Sequence, residues 1–378
     1  STEFRREYLS AAKTKTIIPN STDLSHYTTL YGLPTSYTQG WTLESYFAQL
    51  NYNYAQKYLL SLTARYDGAS NLGTNYRWGF FPGVSLGWNV HKEDFFQVTK
   101  PYFSTFKLRA SYGVNGNISG LSDFHAQGSY SVGNRYLGES AVTNTVLANP
   151  NLKWEQSKTL DFGVDLGFMD NRFNILFDYY NRKTDDLITN LTLPPSTGFS
   201  SISTNLGSLQ NKGIEVELNA DILPRTSELA WNIGFNITTT KTKILKLPDN
   251  GVLNNRVGGV YVWDNASGGY VWGGGLQEGG RIGDFYGWLQ NGIYLTDSEA
   301  ANAPVDLTMP FANKTKYGGD VNYADLDHND TLDTRDLAYL GNPFPTITGG
   351  LSTSLNYKGF SLYARMDYTK GHTIYNYA

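Results

Sequence analysis

The chain has 378 residues, a formal net charge of −4 and no cysteine. Without cysteine it can form neither a disulfide framework nor a thiolate metal site. The slightly acidic balance and the lack of long basic runs argue against nucleic acid as a partner. The 39 glycines, the 28 tyrosines and an aromatic content of 15% are typical of many strands and turns rather than of helices.

In chain order, residues 1–42 are predicted as an extracellular loop or an irregular lead-in. The stretch SYFAQLNYNYAQKYLLSLTARYDG (45–68) then alternates apolar or aromatic residues with mostly polar ones, with a break at 55–57. This period of two predicts two strands, each with one apolar face. The apolar positions are Tyr46, Ala48, Leu50, Tyr52 and Tyr54 in the first strand and Tyr58, Leu60, Leu62, Ala64 and Tyr66 in the second.

The same alternation recurs and predicts an all-β chain of about ten strands, with further strands at 84–90, 106–114, 160–168, 173–179, 214–222, 231–237, 351–357 and 360–368. Their second face carries Ser, Asn, Gln, Gly and Thr, whereas a soluble sheet would show many Lys and Glu. Tyr and Trp lie toward the ends of the apolar face, as in the aromatic girdles of membrane barrels. No run approaches the ~18 apolar residues of a membrane helix. We therefore predict a transmembrane antiparallel β-barrel whose apolar face meets lipid.

The lengths of the connections support this topology. Tight links fall on one side, near Ala55 and at 169–172, 224–228 and 357–359. Long segments fall on the other side, at 68–79, 115–156, 182–210 and 239–345. Short periplasmic turns and long extracellular loops are the rule for outer-membrane barrels. The link at 92–104 is the exception, because it is long on the short side.

Several long motifs appear in order, among them RYDGASNLGTNYRWGFFPGVSLGW (65–88), NPNLKWEQSKTLDFGVDLGF (149–168) and GDVNYADLDHNDTLDTRDLAYLGNPFPTITGGLS (319–352). With these motifs the chain, from about Glu44 onward, resembles the SusC-like (SusC/RagA) TonB-dependent transporters, specifically the C-terminal part of their barrel. The resemblance implies a 22-stranded barrel around an N-terminal plug preceded by a TonB box. Neither the plug nor the TonB box is present here, so residues 43–378 are expected to be part of a longer barrel.

The resemblance further implies active import of a bulky nutrient, an oligosaccharide or in some relatives a peptide, across the bacterial outer membrane. A SusD-like lipoprotein lid and the TonB–ExbB–ExbD complex are the implied partners, and no cofactor is required. A passive pore or adhesin without energy coupling is the alternative, and a soluble carbohydrate-binding β-sandwich is the second. We predict no enzyme: GVSLG (83–87) matches a nucleophile elbow, but it lies within an alternating strand instead of a strand-to-helix turn.

Two groups of residues are candidates for contact with ligand or plug. The loop 260–275 concentrates aromatic residues whose flat faces suit a sugar ring, a peptide or a lid protein, with packing against neighbouring loops as the alternative. These residues are Tyr261, Trp263, Tyr270 and Trp272. Charged residues on the polar face are expected to line the permeation path or to pair with the plug. They are Arg65, Arg109, Asp161, Asp165, Asp178 and Arg365.

The segment DLDHNDTLDTRD (325–336) has the spacing of a calcium loop, whose oxygen ligands suit a hard cation. The predicted ligands are Asp325, Asp327, Asn329, the carbonyl of Thr331, Asp333 and Asp336. Position six, where the sharp turn favours glycine, holds Asp330, and Asp tolerates positive φ better than most residues. The alternative is an acidic, solvated extracellular turn.

Overall fold

The structure, a computed structural model, describes residues 2–9, 14–16, 27–29, 36–99, 102–137, 139–308 and 315–374, with side chains from residue 40 onward except at 132–135 and 140. The strands are β1 (Thr2–Leu9), β2 (Thr14–Thr16), β3 (Tyr27–Thr29), β4 (Ser36–Tyr54), β5 (Tyr58–Ala69), β6 (Trp78–Asn89), β7 (Phe103–Asn117), β8 (Ser129–Tyr136), β9 (Glu139–Val146), β10 (Glu155–Phe168), β11 (Phe173–Thr192), β12 (Ser201–Asp221), β13 (Leu229–Thr239), β14 (Lys241–Lys246), β15 (Val260–Asp264), β16 (Gly269–Gly273), β17 (Phe285–Trp288), β18 (Gln290–Ile293), β19 (Val305–Asp306), β20 (Val321–Tyr323), β21 (Thr331–Leu332), β22 (Leu337–Gly341), β23 (Ile347–Tyr357) and β24 (Phe360–Lys370).

One α-helix, α1 (Asp297–Ala300), accompanies these strands. The 3₁₀ helices are Val90–Lys92, Asp94–Thr99, His125–Gln127, Pro195–Thr197, Leu253–Asn255 and Thr334–Asp336. Among the residues that the structure describes, none of the helices has the length and apolarity that crossing a membrane requires.

A 12-stranded sheet dominates the fold, in the order β1-β4-β5-β6-β7-β10-β11-β12-β13-β23-β24, with β14 continuing β13 along β12. The strands that share an edge in this order are antiparallel. Each long strand therefore pairs with the next long strand of the chain, as in an up-and-down barrel wall. The irregular lead-in predicted at 1–42 differs from the structure, because β1 pairs with β4 from Thr2↔Leu43 to Leu9↔Ser36.

The apolar faces of the long strands are exposed. Leu50 on β4 and Leu362 on β24 keep 59% and 62% of their surface accessible, and within the described residues no second sheet covers them. A sandwich would bury these faces against each other. Their aromatic residues stack near the two ends of the strands, with Trp78 against Tyr66 at one end and Tyr58 against Trp88 at the other. Lipid is the remaining environment for such a face, as the alternation predicts.

The turns on the short side are compact because several residues adopt positive φ. Ala55 and Gln56 at the β4–β5 turn have φ of 51° and 56°, and 169–171 at the β10–β11 turn have φ of 49° to 58°. At the opposite ends of the strands, the connections 70–77, 118–154, 193–200 and 240–346 are longer and carry further short strands. Residues 182–210, predicted as a long loop, mostly extend the β11–β12 hairpin instead, so its irregular part is 193–200.

The exceptional link at 90–102 is held against the short turns by Glu93, which is only 9% exposed. Its Oε1 accepts hydrogen bonds from Tyr58 Oη at 2.8 Å and Trp88 Nε1 at 3.0 Å. Its Oε2 pairs with Lys57 Nζ at 2.9 Å. The hydrogen bond from Lys57, followed by those from Trp88 and Tyr58, lowers the pKa of Glu93 from 4.5 to about 2. Glu93 therefore ties this link to the β4–β5 turn and to strands β5 and β6.

At the ends of the strands opposite the short turns, two connections fold onto the polar face and form a buried cluster. Leu72 and Leu152 are fully buried there, next to Phe81 and Trp154. The indole of Trp154 donates from Nε1 to the carbonyl of Arg77 at 2.9 Å. The motif NPNLKW (149–154) thus packs the long connection before β10 against the β5–β6 hairpin.

Candidate functional site

The segment between β13 and β23 presents the predicted aromatic residues on one face of a hairpin. In this hairpin of β15 and β16, Tyr261 is opposite Trp272 and Trp263 is opposite Tyr270. Cross-strand partners share a face of a hairpin, so all four rings lie on the same side. Their centroids are 5.1 to 5.5 Å apart. On the opposite face Val262 is buried, whereas its cross-strand partner Val271 is 39% exposed.

Two of these four rings are engaged in packing. Tyr270 donates a hydrogen bond from Oη to Asp327 Oδ2 at 2.5 Å, and this bond raises the pKa of its hydroxyl. Trp263 packs edge-on against Tyr270. Tyr261 and Trp272 remain 44% and 40% exposed, although the guanidinium of Arg256 lies 3.4 Å from the ring centroid of Trp272. The two exposed rings are the part of the hairpin that can contact a ligand or a partner protein.

The acidic loop 325–336 adopts a compact turn below this hairpin. Carboxylate oxygens of Asp325, Asp327 and Asp336 lie within 4.8 Å of one another, a spacing that one cation could bridge. Asp330 has a φ of 60°, the left-handed conformation that favours glycine at this position of a calcium loop. Asp336 is fully buried, and its burial raises the pKa of this carboxyl.

The other predicted ligands point elsewhere or are occupied. Asp333 pairs with the guanidinium of Arg335, which lowers the pKa of Asp333, and it lies outside the three-carboxylate cluster. Asn329 Oδ1 accepts a hydrogen bond from the backbone N–H of Thr331 at 2.8 Å. Both oxygens of Asp336 accept backbone N–H groups, from residues 326 and 333. The loop is thus satisfied largely by its own hydrogen bonds, and the calcium site stays a prediction.

On the polar face of the sheet, Arg109 joins two of the predicted carboxylates. Its guanidinium lies 2.7 Å from Asp165 Oδ1 and 2.9 Å from Asp178 Oδ1. Arg109, Gly163 and Asp178 are directly opposite one another on β7, β10 and β11. A Cβ at Gly163 would lie 2.3 Å from Asp178 Oδ1 and 2.6 Å from Arg109 Cζ. The ion pair therefore passes over the glycine, where no side chain intervenes.

Of the remaining predicted polar-face residues, the two arginines pair with carboxylates of their own strands, and Asp161 lies close to the Arg109 ion pairs. Arg65 contacts Asp67 at 2.7 Å, and Arg365 contacts Asp367 at 2.8 Å. Asp161 lies on the same face of β10 as Asp165. The expectation that these residues line the permeation path or pair with the plug stays a prediction. Within the described residues, Arg65, Arg109 and Arg365 form their ion pairs with carboxylates of the same sheet.

Sequence reasoning missed the residues whose partners are distant in the chain. Glu93 and Gly163 belong to this group, as does Asp306, which is 2% exposed and pairs with Lys316 Nζ at 2.6 Å. The anomalous length of the 92–104 link was a signal for Glu93. Nothing local marks Asp306, because its segment alternates neither like a strand nor like a helix.

Comparison with known proteins gives the family. The family described as TonB dependent receptor-like, beta-barrel, matches residues 4–377. TonB-dependent receptor P3 of Formosa agariphila is 37% identical over 349 residues, which are 91% of this chain and 33% of the relative. TonB-dependent receptor SusC of Bacteroides thetaiotaomicron is 37% identical over 220 residues, 56% of this chain and 22% of the relative.

Solved structures agree on the fold. The RagAB peptide transporter superposes with a TM-score of 0.68 at 24% identity, covering 90% of this chain and 34% of that chain. The chain spans about a third of the full length of the first two curated relatives that it matches. Since the family matches residues 4–377 and the sheet has the sorted turns and apolar outer face of a membrane barrel, the chain belongs to the TonB-dependent receptor β-barrel family of the bacterial outer membrane.

Proposed function

We propose that the protein containing this chain imports a bulky nutrient, an oligosaccharide or a peptide, across the outer membrane with energy supplied through TonB. The family match over residues 4–377 carries the proposal. A relative named SusC and a structural neighbour described as a peptide transporter support it. We assign no enzymatic role, in keeping with a family of receptors and transporters.

We also propose that a SusD-like surface lipoprotein closes over the extracellular loops. The connection 240–346 provides a large surface there, on which Tyr261 and Trp272 are exposed. Exposed, closely spaced aromatic rings offer a large contact area at low cost in conformational entropy. Such a surface suits a sugar, a peptide or the lid itself.

Uptake by the full-length protein in its native host tests the import function. A strain lacking the gene is complemented with the wild-type gene, and uptake of fluorescently labelled oligosaccharides and peptides is measured with and without an uncoupler of the proton gradient. Active import predicts that uptake requires the gene and stops with the uncoupler. Uptake that persists after the gradient collapses would instead establish a passive pore.

Two substitutions test the aromatic surface. Tyr261→Ala and Trp272→Ala together are expected to weaken substrate or lid binding by roughly 30-fold, the effect of losing about 2 kcal/mol of aromatic contact. Tyr102→Ala, which removes a 72% exposed ring at the opposite end of the sheet, serves as the matched control. If the double variant keeps both uptake and co-purification of the lipoprotein, the hairpin has no part in either.

A further inference from the structure

Five lysines form a cluster on the outer face of four neighbouring strand segments, which we call the lysine belt. They are Lys158 on β10, Lys183 on β11, Lys212 on β12, and Lys241 and Lys243 on β14. Strand pairing places them in two adjacent cross-strand rows, with the pairs Lys158↔Lys183, Lys183↔Gln210, Gln210↔Lys243 and Lys212↔Lys241. The belt is therefore continuous across the sheet and is not an accident of one strand.

The side chains of the belt leave the same face as the exposed apolar residues. Lys158 precedes Leu160 by two positions, and Lys212 precedes Ile214 by two positions. Alternate residues of a strand share a face. The pairing of β12 with β13 and with β14 keeps one register, from Val216↔Ile237 to Lys212↔Lys241, so the outward face continues into β14. The lysines are thus on the lipid side of the wall.

The belt begins where the apolar band ends. On β10 the outward apolar residues run from Phe168, beside the short turn, to Leu160, and the next outward residue is Lys158. Eight residues at about 3.3 Å each span roughly 26 Å along the strand. With the tilt of barrel strands, this gives roughly 20 Å across the membrane, close to the apolar band of about 25 Å in outer-membrane barrels. Lys158 is therefore at the height of the outer-leaflet headgroups.

The charge of the belt is only partly neutralised. Asp185 pairs with Lys158 and Lys183 at 3.1 and 2.9 Å. Among the described residues, Lys212, Lys241 and Lys243 form no ion pair, and all three are exposed. They also line a cavity of about 820 Å³, whose wall includes Arg281 and Phe344.

We propose that the lysine belt binds the phosphate groups of an anionic glycolipid in the outer leaflet. Clustered ammonium groups beside a membrane bind lipid phosphates, and long lysine side chains reach the headgroup level from a strand at its edge. The outward direction of the belt separates it from the polar face of the sheet, which faces the interior. The belt is also continuous with the lipid-facing apolar band, which is why the partner is a lipid rather than a soluble anion.

Binding of purified lipid A to the full-length transporter in detergent tests the proposal. The probes are diphosphorylated lipid A and the same lipid with both phosphates removed, and the readout is the dissociation constant together with the lipid retained per protein. Lys212→Gln, Lys241→Gln and Lys243→Gln are combined in one variant. We expect binding of the diphosphorylated lipid to weaken roughly 100-fold, which corresponds to about 3 kcal/mol for three lysines beside an anionic surface.

Two control variants make the result specific. Replacing the same three residues by arginine keeps the charge and should keep binding within a fewfold of wild type. Lys92→Gln with Lys358→Gln removes two exposed lysines at the opposite end of the sheet and should change nothing. Circular dichroism checks that each variant keeps its strand content.

Three outcomes would overturn the proposal. The first is wild-type affinity in the triple glutamine variant. The second is equal affinity of the wild type for lipid A with and without phosphates. The third is complete displacement of the lipid by millimolar inorganic phosphate, which would identify a site for a soluble anion. None of these measurements involves transport, so the proposal stands or fails separately from nutrient import.

Discussion

Gly163 is the position where one methyl group should disturb the interior of the barrel wall. In Gly163→Ala the new Cβ would lie 2.3 Å from Asp178 Oδ1 and 2.6 Å from Arg109 Cζ. Both distances are far inside van der Waals contact, so the ion pair between these residues must move. The backbone need not shift, because the atoms in the way are the ends of side chains. Gly113 on the same face of β7 is the matched control, since a Cβ there meets nothing within 4 Å.

The cost of Gly163→Ala follows from what the substitution displaces. Arg109, Asp165 and Asp178 keep 28%, 21% and 22% of their side-chain surface, so the network lies between an exposed and a buried ion pair. Overpacking of one methyl group costs about 1 to 3 kcal/mol. Gly113→Ala should stay within about 0.5 kcal/mol of wild type, because surface substitutions away from special features rarely exceed this. The expected difference between the two variants is therefore about 1 to 3 kcal/mol.

Thermal unfolding of the full-length protein in detergent, followed by tryptophan fluorescence, measures this difference. Gly163→Ala should lower the unfolding midpoint, while Gly113→Ala should leave it unchanged. In an Arg109→Ala background the added methyl group should cost clearly less, because neighbouring substitutions that share a partner are not additive. Equal midpoints for the two alanine variants, or an unchanged cost in the Arg109→Ala background, would refute the reasoning.

Three further predictions concern groups outside the membrane-spanning strands. Glu93→Gln should lower the unfolding midpoint at neutral pH. Because the pKa of Glu93 in the folded protein is lowered to about 2, the contribution of its carboxylate to stability is complete above pH 4.5 and is lost as the pH falls toward 2, where the midpoints of wild type and variant should converge. Asp306→Asn should leave Lys316 without its buried counter-ion at a local cost of roughly 3 kcal/mol, seen as faster hydrogen exchange in 305–332 and contradicted by unchanged protection. Calcium should bind the loop 325–336 with a dissociation constant no lower than about 10⁻⁴ M, because Asp327 already accepts hydrogen bonds, and Asp325→Asn should abolish this binding. Calorimetry that shows no heat at millimolar calcium would remove the site.

The two faces of the strands and the sorting of the turns could be predicted from sequence because both are local properties. Alternation is visible in a window of eight residues, and a short link between two alternating runs marks a hairpin. The strand ends could not be predicted in the same way. Residues 2–9 pair with β4 and residues 182–192 pair with β12, yet neither segment alternates clearly. In these places the hydrogen bonds of the neighbouring strand, rather than the local pattern, decide the conformation.

The candidate site was predictable in kind but not in its contacts. Aromatic residues in a glycine-rich loop are visible in the sequence. Which of their rings are packed and which are exposed is not, because Tyr270 is held by a hydrogen bond to Asp327, 57 residues away. On the polar face, Arg109 meets Asp165 and Asp178 only through the register of three strands. The importance of Gly163 was equally hidden, since it depends on side chains from both neighbouring strands.

In the lysine belt, the odd or even position of a residue along its strand, which we call its parity, predicts the face on which a charged side chain lies as well as the face of the apolar ones. On each strand of the belt, an outward-facing lysine lies two or four residues beyond the last outward-facing apolar residue. The pairs are Leu160 and Lys158, Ile214 and Lys212, and Ile237 and Lys241. Charged residues of the opposite parity, such as Arg109, lie on the polar face of the sheet and form ion pairs there. Two residues with the same charge thus have different environments because their parity differs. Parity therefore distinguishes a charge on the apolar, lipid-facing side of the sheet from a charge on its polar face, before any contact is known.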